Sequence, residues 1–393
     1  MVLAAVSAAA IFLAMFAGSV SAQPGPGRGN GKQLGKHDRG LIAEARANGK
    51  DTVTLLIATD RGQARRVSSA LGALGANLIV VDNDVDYVRA IVPINQADAA
   101  AGLSGVLSAD VDEIIPLDDP RPEGTVNPTP QTPPGPATPN VNPYMPTGDT
   151  GAAQFAAAHP TWDGRGTVIG ILDSGITLDH PSLQTTSTGD RKIIEWVTAT
   201  HPTDDDDPTW VDMKDQVSGA AFSYGTPTAV AYTAPAAGSY RIGLFNERDT
   251  RLGGETGTDM NRDGNPAGSS GIFAVLWRTS DNTVWVDTNQ NNSFADEVAM
   301  KDYNVAFDVN YFGTDNPATP LAERMPFVIQ TDGQNKFVNI GIVSGAHGSH
   351  VAGIAAGNNL FGGAMDGAAP GAQIKSVRVC LFIAGCATKG AAS

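Results

Sequence analysis

The sequence predicts an α/β chain: a parallel, helix-covered sheet that carries a mainly β insertion and follows a small α+β module. Three observations predict it. TVIGILD (167–173) and AQIKSVRV (372–379) are apolar runs of strand length, as strands buried between two helix layers must be. Residues 51–117 alternate strand and helix periodicities in a compact order. Between the two apolar strands lies a long interval of short strand-like runs separated by Gly, Asp and Asn loops.

At 393 residues the chain is long enough for two or three domains. It holds 45 Gly and 25 Pro, and only 17% of its residues are charged, against about 25% in an average soluble protein. That composition suits a loop-rich exported protein. The net charge of −15 argues against nucleic acid as a partner, because a phosphate backbone is bound by Lys and Arg surfaces. The acidic balance reads as a solvated surface.

The elements follow in order. Residues 2–22 are apolar or small and end in Val20-Ser21-Ala22, so 1–22 reads as a secretory signal peptide cleaved before Gln23. Its leading positions hold no Lys or Arg, and its length is near the lower limit for a spanning helix, so a retained anchor is the other reading. No later segment is apolar enough to span a membrane, and none is expected as a partner after signal cleavage. Residues 23–50 are Gly-rich and mildly basic (Arg28, Lys32, Lys36, Arg39) and read as flexible.

TVTLLIAT (52–59) alternates as a strand, and Gln63–Leu74 sets Ala64, Val67, Ala70, Leu71 and Leu74 on one helical face. NLIVV (77–81), VDYVRAIVP (85–93), an Ala-rich helix near 95–101 and VDEIIPL (111–117) complete a β-α-β-β-α-β order over 51–117, the ferredoxin-like arrangement. Residues 118–147 carry ten prolines and cannot build sheet ladders, so they read as an extended linker. The third region runs over 148–393. Its insertion, about 190–340, holds AVAYTAPAAGSYRIGLFN (229–246), IFAVLWRT (272–279) and TVWVD (283–287).

Two segments carry chemistry. Asp173 closes the apolar strand and is followed by Ser174-Gly175, which puts a carboxylate at the carboxyl edge of the sheet, where α/β folds hold their sites. His347 opens HGSHVAGIAAG. Gly345 and Gly348 let a neighbouring backbone approach its ring, and the small residues that follow let the helix pack closely. A hydroxyl nucleophile needs such a base, and the base needs such an orienting acid.

DGRGTVIGILDSGITLDHPSL (163–183), HGSHVAGIAAGN (347–358) and GAAPGAQIKSVRV (367–379) resemble, in order, the aspartate block, the histidine block and the following strand of the subtilisin-like serine proteases, the subtilases. KIIEWV, GSYRIGLFN, TVWVDTNQNNSF and IVSGAHGSHVA further resemble the large, insert-bearing branch that includes tripeptidyl peptidase II. The resemblance implies a subtilisin-like doubly wound parallel sheet, with Asp173 and His347 as the catalytic acid and base. It implies that 51–117 is an inhibitory propeptide, that substrates are proteins or peptides, that the chain's own propeptide is an intramolecular inhibitor, and that the chemistry needs no cofactor. It also implies that His350 is a packed structural histidine, and that Asp179-His180 form a turn before Pro181. Ser182 stands where many subtilases place a calcium-binding Asp. The Gly-Thr-Ser nucleophile block has no counterpart. Ser393 follows Ala391-Ala392 and does not fit it, so the sheet is expected to be incomplete and this polypeptide inactive.

Structural calcium is suggested twice. Asp259-x-Asn261-x-Asp263-Gly264 reproduces the first half of an EF-hand loop, and Asp287-x-Asn289-x-Asn291-x-Ser293, followed by Asp296 and Glu297, is a weaker version. Neither has Glu at the twelfth position, and the competing reading of both is an Asx-rich turn. His347 and His350 lack the H-E-x-x-H pattern of a zinc pair. Asp204–Asp207 reads as a solvated acidic loop. Cys380 and Cys386 pair either with each other or with other cysteines of an oxidised protein.

The expectation is a secreted or cell-surface serine endopeptidase precursor. The alternative is a non-enzymatic binding or inhibitory protein built from the propeptide-like module and the β insertion.

Overall fold

The computed structural model describes residues 34–115, 150–202, 205–225, 227–252, 271–315, 324–363, 365–381 and 385–387. They fall into two units divided between Val111 and Asp112.

The first unit runs α1 (Lys36–Ala47), β1 (Thr52–Thr59), α2 (Ala64–Ala73), β2 (Asn77–Asp82), β3 (Tyr87–Pro93), α3 (Ala97–Ala101) and β4 (Val106–Val111). Its sheet has the order β2-β3-β1-β4, antiparallel throughout. Strict alternation along β1 turns Val53, Leu55 and Ile57 inward, where they meet Ala64, Val67 and Leu71 of α2 in one core.

Helix α1 corrects the flexible segment expected over 23–50. Its first turn is fastened by Asp38, which accepts the Gly35 N–H through Oδ2 (2.8 Å) and the Val111 N–H through Oδ1 (3.0 Å). The glycines before residue 36 dominate the composition there, whereas the bond that orders the helix reaches 73 residues along the chain.

The second unit begins with β5 (Ile114–Ile115), α4 (Ala152–Ala158), β6 (Val168–Asp173) and β7 (Ile193–Thr198). There follow β8 (Trp210–Asp212), β9 (Asp215–Tyr224), β10 (Val230–Asn246), β11 (Ile272–Arg278), β12 (Thr283–Val286), α5 (Tyr303–Ala306), β13 (Asn310–Phe312), β14 (Met325–Asp332) and β15 (Phe337–Gly341). Then come α6 (His347–Ala356), β16 (Gln373–Arg378), β17 (Cys380–Leu381) and β18 (Gly385–Ala387).

Strands β6, β16 and β7 make a parallel sheet in that order, with Arg378 opposite both Asp173 and Thr198. Helix α6 covers one face: Ala352 and Ala356 pack with Ile171, Ala372 and Ile374. Among the described residues the other face of β6 is bare, with Val168 and Leu172 about half exposed. This departs from the expected two-sided burial, because among the described residues no second helix layer packs on that face.

Two antiparallel sheets fill the interval between β7 and α6, ordered β12-β11-β10-β9 and β13-β14-β15-β8. Phe245, Phe273, Val275, Trp277, Phe312, Phe327, Val338 and Ile340 from both sheets share one core. Ile193–Thr198, expected within the interval beginning at about 190, belongs to the parallel sheet. A third small sheet, β17-β18-β5, is closed by a disulfide between the directly opposed Cys380 and Cys386.

Candidate active site

Asp173 lies at the carboxyl end of β6, and His347 is the first residue of α6. Though 174 positions apart, they meet: His347 Nδ1 lies 2.8 Å from Asp173 Oδ2 and 2.9 Å from Oδ1. The Asp173 side chain is 14% exposed and that of His347 63%. The carboxylate is thus sheltered while the ring faces outward.

The surrounding backbone explains how two distant segments hold this spacing. After Asp173 the chain turns through Gly175, which has φ +87° and lies against the Trp196 ring, so a β-carbon is excluded twice. A β-carbon on Gly348 would overlap the Gly175 carbonyl, so α6 starts in backbone contact with the turn that follows the acid.

Ser174, 2% exposed, fastens this contact. Its hydroxyl donates to the Gly345 carbonyl (3.0 Å) and accepts from the Gly348 N–H (2.9 Å), gripping the backbone on both sides of His347. The Ser174 N–H donates to Asp173 Oδ1 at 2.6 Å. One turn on, Ser349 accepts from the Thr177 N–H and donates to the Thr177 hydroxyl. Neither Ser174 nor Ser349 is singled out by sequence pattern, because a serine beside glycine is a common turn residue.

The remaining site residues are distributed differently. His350 is exposed, not packed, because α6 buries the face carrying Gly348, Ala352 and Ala356. His180 caps the short turn at Pro181–Leu183 by accepting the Ser182 N–H at Nδ1.

Asp259, Asn261 and Asp263 lie outside the described residues. Asp287, Asn289 and Asn291 lie together in the loop after β12. Asp287 accepts the N–H groups of Asn291 and Asn292, while the Asn289 and Asn291 oxygens accept from Asn291 and Ser293. Both side-chain amides donate to Asp296, and Glu297 accepts from Thr288. Burial pushes the carboxyls of Asp287 and Glu297 upward. The loop is closed by its own Asx chemistry, and among the described residues no group of three or more His, Cys, Asp or Glu could hold a metal ion.

The solvated reading of the acidic run is corrected at Asp207. Asp207 is fully buried and pairs with Arg378 at 2.7 Å, the Arg378 side chain being equally inaccessible. Thr209 donates to Asp207 through its N–H and hydroxyl, and Thr200 donates through its hydroxyl. Burial pushes this carboxyl up, but the Arg378 charge and these donors outweigh it and hold it below the ordinary range. Asn339 joins Thr198 to Thr209 and extends the network into β15. Sequence reasoning missed it because the two charges are 171 positions apart.

The aligned acid and the exposed ring can hold a proton at one imidazole nitrogen and exchange it at the other. A sequence profile described as the subtilase family matches residues 164–387, which include both residues. The chain belongs to the subtilase family. The subtilases are a family of serine peptidases.

Among curated relatives, this subtilase is 26% identical to pyrolysin of Pyrococcus furiosus (strain ATCC 43587 / DSM 3638 / JCM 8422 / Vc1) over 400 aligned residues, 84% of this chain and 26% of that protein. It is 26% identical to tripeptidyl-peptidase 2 of Caenorhabditis elegans over 282 residues, 59% of this chain and 20% of that protein. Against tripeptidyl-peptidase 2 of Oryza sativa subsp. japonica the identity is 46% over 56 residues, 14% of this chain and 4% of the relative. A crystal structure of tripeptidyl peptidase 2 superposes with TM-score 0.42 and 20% identity, covering 59% of this chain and 22% of that one. The chain spans about a quarter or less of the length of these relatives.

Proposed function

We propose that the chain is part of a secreted serine endopeptidase precursor, with Asp173 as the orienting acid and His347 as the general base. The observation that carries the reading is the hydrogen bond from His347 Nδ1 to Asp173. A proton held at Nδ1 leaves Nε2 unprotonated, able to take the proton of a serine hydroxyl as it attacks a peptide carbonyl. The same nitrogen returns that proton to the leaving amine, while Asp173 stabilises the transient imidazolium. The high exposure of the ring leaves Nε2 open to both partners.

Autoinhibition by residues 51–117 is part of the same proposal. Ile114–Ile115 follow the last strand of the first unit and pair antiparallel with Cys386–Ala387. Strand addition at a sheet edge is a general mode of binding extended peptides. The chain's own segment occupies an edge of this kind, and β17 next to it is hydrogen-bonded to the segment leading to His347. Export is supported by the apolar stretch over 2–22 and by the Cys380–Cys386 disulfide, since such bonds persist in oxidising compartments. Among the described residues no helix is long and apolar enough to cross a membrane.

No segment of the 393 residues matches the family's Gly-Thr-Ser block, so this polypeptide alone is expected to be inert toward a fluorophosphonate probe. Covalent labelling of it would overturn that assignment. Reading the gene past codon 393 tests the larger proposal. A downstream Gly-Thr-Ser block supports it, and an immediate stop codon overturns it. In a polypeptide that includes such a block, cleavage of an N-terminally blocked, internally quenched peptide separates endopeptidase from tripeptidyl activity.

A further inference from the structure

Ser344 lies three residues before His347 and is 6% exposed. Its N–H donates to the Ser174 carbonyl at 2.8 Å. Its hydroxyl lies 2.9 Å from the Cys380 carbonyl and 3.2 Å from that of Ser174. One side chain therefore touches the residue after Asp173 and the residue after β16 while sitting on the approach to His347. The neighbouring bond from the Val379 N–H to the Asp173 carbonyl (2.9 Å) closes the circuit around the acid.

The arrangement is reciprocal. The Ser174 hydroxyl reaches forward to Gly345 and Gly348, and the Ser344 backbone and hydroxyl reach back to Ser174. Gly345 and Ala346 add no hydrogen-bonding side chain between Ser344 and His347. Ser344 is thus the side-chain anchor that fixes this approach. Because Cys380 is cross-linked to Cys386 in β18, the same hydroxyl joins the acid–base pair to the hairpin on which Ile114–Ile115 lie.

We propose that Ser344 is a positioning residue for the Asp173–His347 pair, its hydroxyl holding the His347 approach in register with the ends of β6 and β16. The inference rests on the reading of Asp173 and His347 as orienting acid and base. Ser344 touches no reacting atom in this scheme and acts through the backbone on either side of the pair. Without the hydroxyl, the approach keeps its backbone bond to the Ser174 carbonyl and the Ser174 hydroxyl's bonds to Gly345 and Gly348, but loses its link to Cys380. The His347 ring then drifts from the carboxylate, and its proton redistributes between the two nitrogens.

The ring nitrogens report this directly. Long-range 1H–15N spectra of the 393-residue chain, recorded well above the ordinary imidazole titration range, separate a protonated Nδ1 from an unprotonated Nε2. The unmodified chain and Ser344→Thr, which retains the hydroxyl, are expected to show a protonated Nδ1. In Ser344→Ala the two resonances are expected to converge as the Nε2–H tautomer populates. A Ser344→Ala chain that melts earlier but keeps the original tautomer would show a purely structural role and overturn the inference. If the alanine variant does not fold, Ser344→Cys, of similar shape and a weak donor, is expected to give partial convergence, and an unchanged pattern there overturns it equally. Mixed tautomers already present in the unmodified chain would remove the acid–base reading itself, and the inference with it. An unmoved Ser344→Ala spectrum against a protonated Nδ1 in the unmodified chain removes the inference alone.

Discussion

Two aspartates flank the end of β16, and the fold treats them in opposite ways. Asp207 meets Arg378 with neither side chain accessible, and Thr200 and Thr209 add donors to the carboxylate. Asp173, opposite Arg378 in the sheet register, meets a histidine whose ring is largely exposed. The first carboxylate is committed to holding the inserted sheets against the parallel sheet. The second is held by one backbone N–H and a ring that can change its proton. A buried ion pair keeps its charge state only because every partner stays in place. An acid–base pair must leave one nitrogen unspent.

Removing one partner of the buried pair is the hardest test. Asp207→Ala is expected to cost about 3–5 kcal/mol, because Arg378 is left charged and uncompensated inside the protein. Urea denaturation measures it, and a loss below about 1 kcal/mol would mean the pair behaves as a surface pair.

Lys192 sharpens the contrast between a buried charge with a counter-charge and one without. It is fully buried, and its Nζ donates to the carbonyls of Pro370 (2.5 Å) and Ala372 (2.9 Å). Burial pushes its amine down to about 8, with Asp366 and Asp163 pulling weakly the other way. A lysine with a lowered value binds its proton less well folded than unfolded. The cost is therefore fully present below pH 8 and relieved as pH rises from 8 toward the ordinary lysine value of 10.5. Stability should rise across that window by on the order of 3 kcal/mol relative to Lys192→Met. Parallel urea midpoints for the two proteins over this range would refute it.

Gly348→Ala attacks the acid–base pair through the backbone. The new methyl meets the Gly175 carbonyl, so a loss of about 1–3 kcal/mol is expected, the range for overpacking. A thermal melt checks it, and an unchanged midpoint would mean the two turns do not touch. Asp173→Asn should have the smallest effect on stability, about 1 kcal/mol or less, because its partner is exposed. In a catalytically complete polypeptide the same change should lower kcat about 10⁴-fold by favouring the wrong tautomer. Urea denaturation and peptide cleavage measure the two effects separately.

Asp173 and His347 were legible because their neighbours are legible. A strand of Val, Ile and Leu ending in Asp-Ser-Gly, and a helix opening in His-Gly-Ser-His with small residues after it, restrict what the backbone can do. Their pairing was reachable only through resemblance, since no local pattern spans 174 positions. The Asp207–Arg378 pair has the same long reach and no motif to announce it, so an acidic run looked solvated. Helix α1 was hidden for a similar reason: its cap is completed by Val111. At 287–297 the Asn and Asp spacing is shared by cation loops and Asx turns, and the hydrogen bonds there are ones both would make. His350 was misjudged because the small-residue face of α6, not resemblance, decides what is buried.

The contact between Gly175 and Gly348 has one more consequence, for how this architecture tolerates change in length. The ends of the stretch between β6 and α6 are pinned to each other by backbone contact and by the hydroxyl of Ser174, so what happens in between need not carry the alignment. The entropy of closing a longer loop grows only logarithmically with its length. An entire two-sheet module can therefore be accommodated there, or exchanged for another, with the separation of acid and base unchanged. The interval is a graft site already built into the molecule, at which new surfaces can be added a short distance from the chemistry.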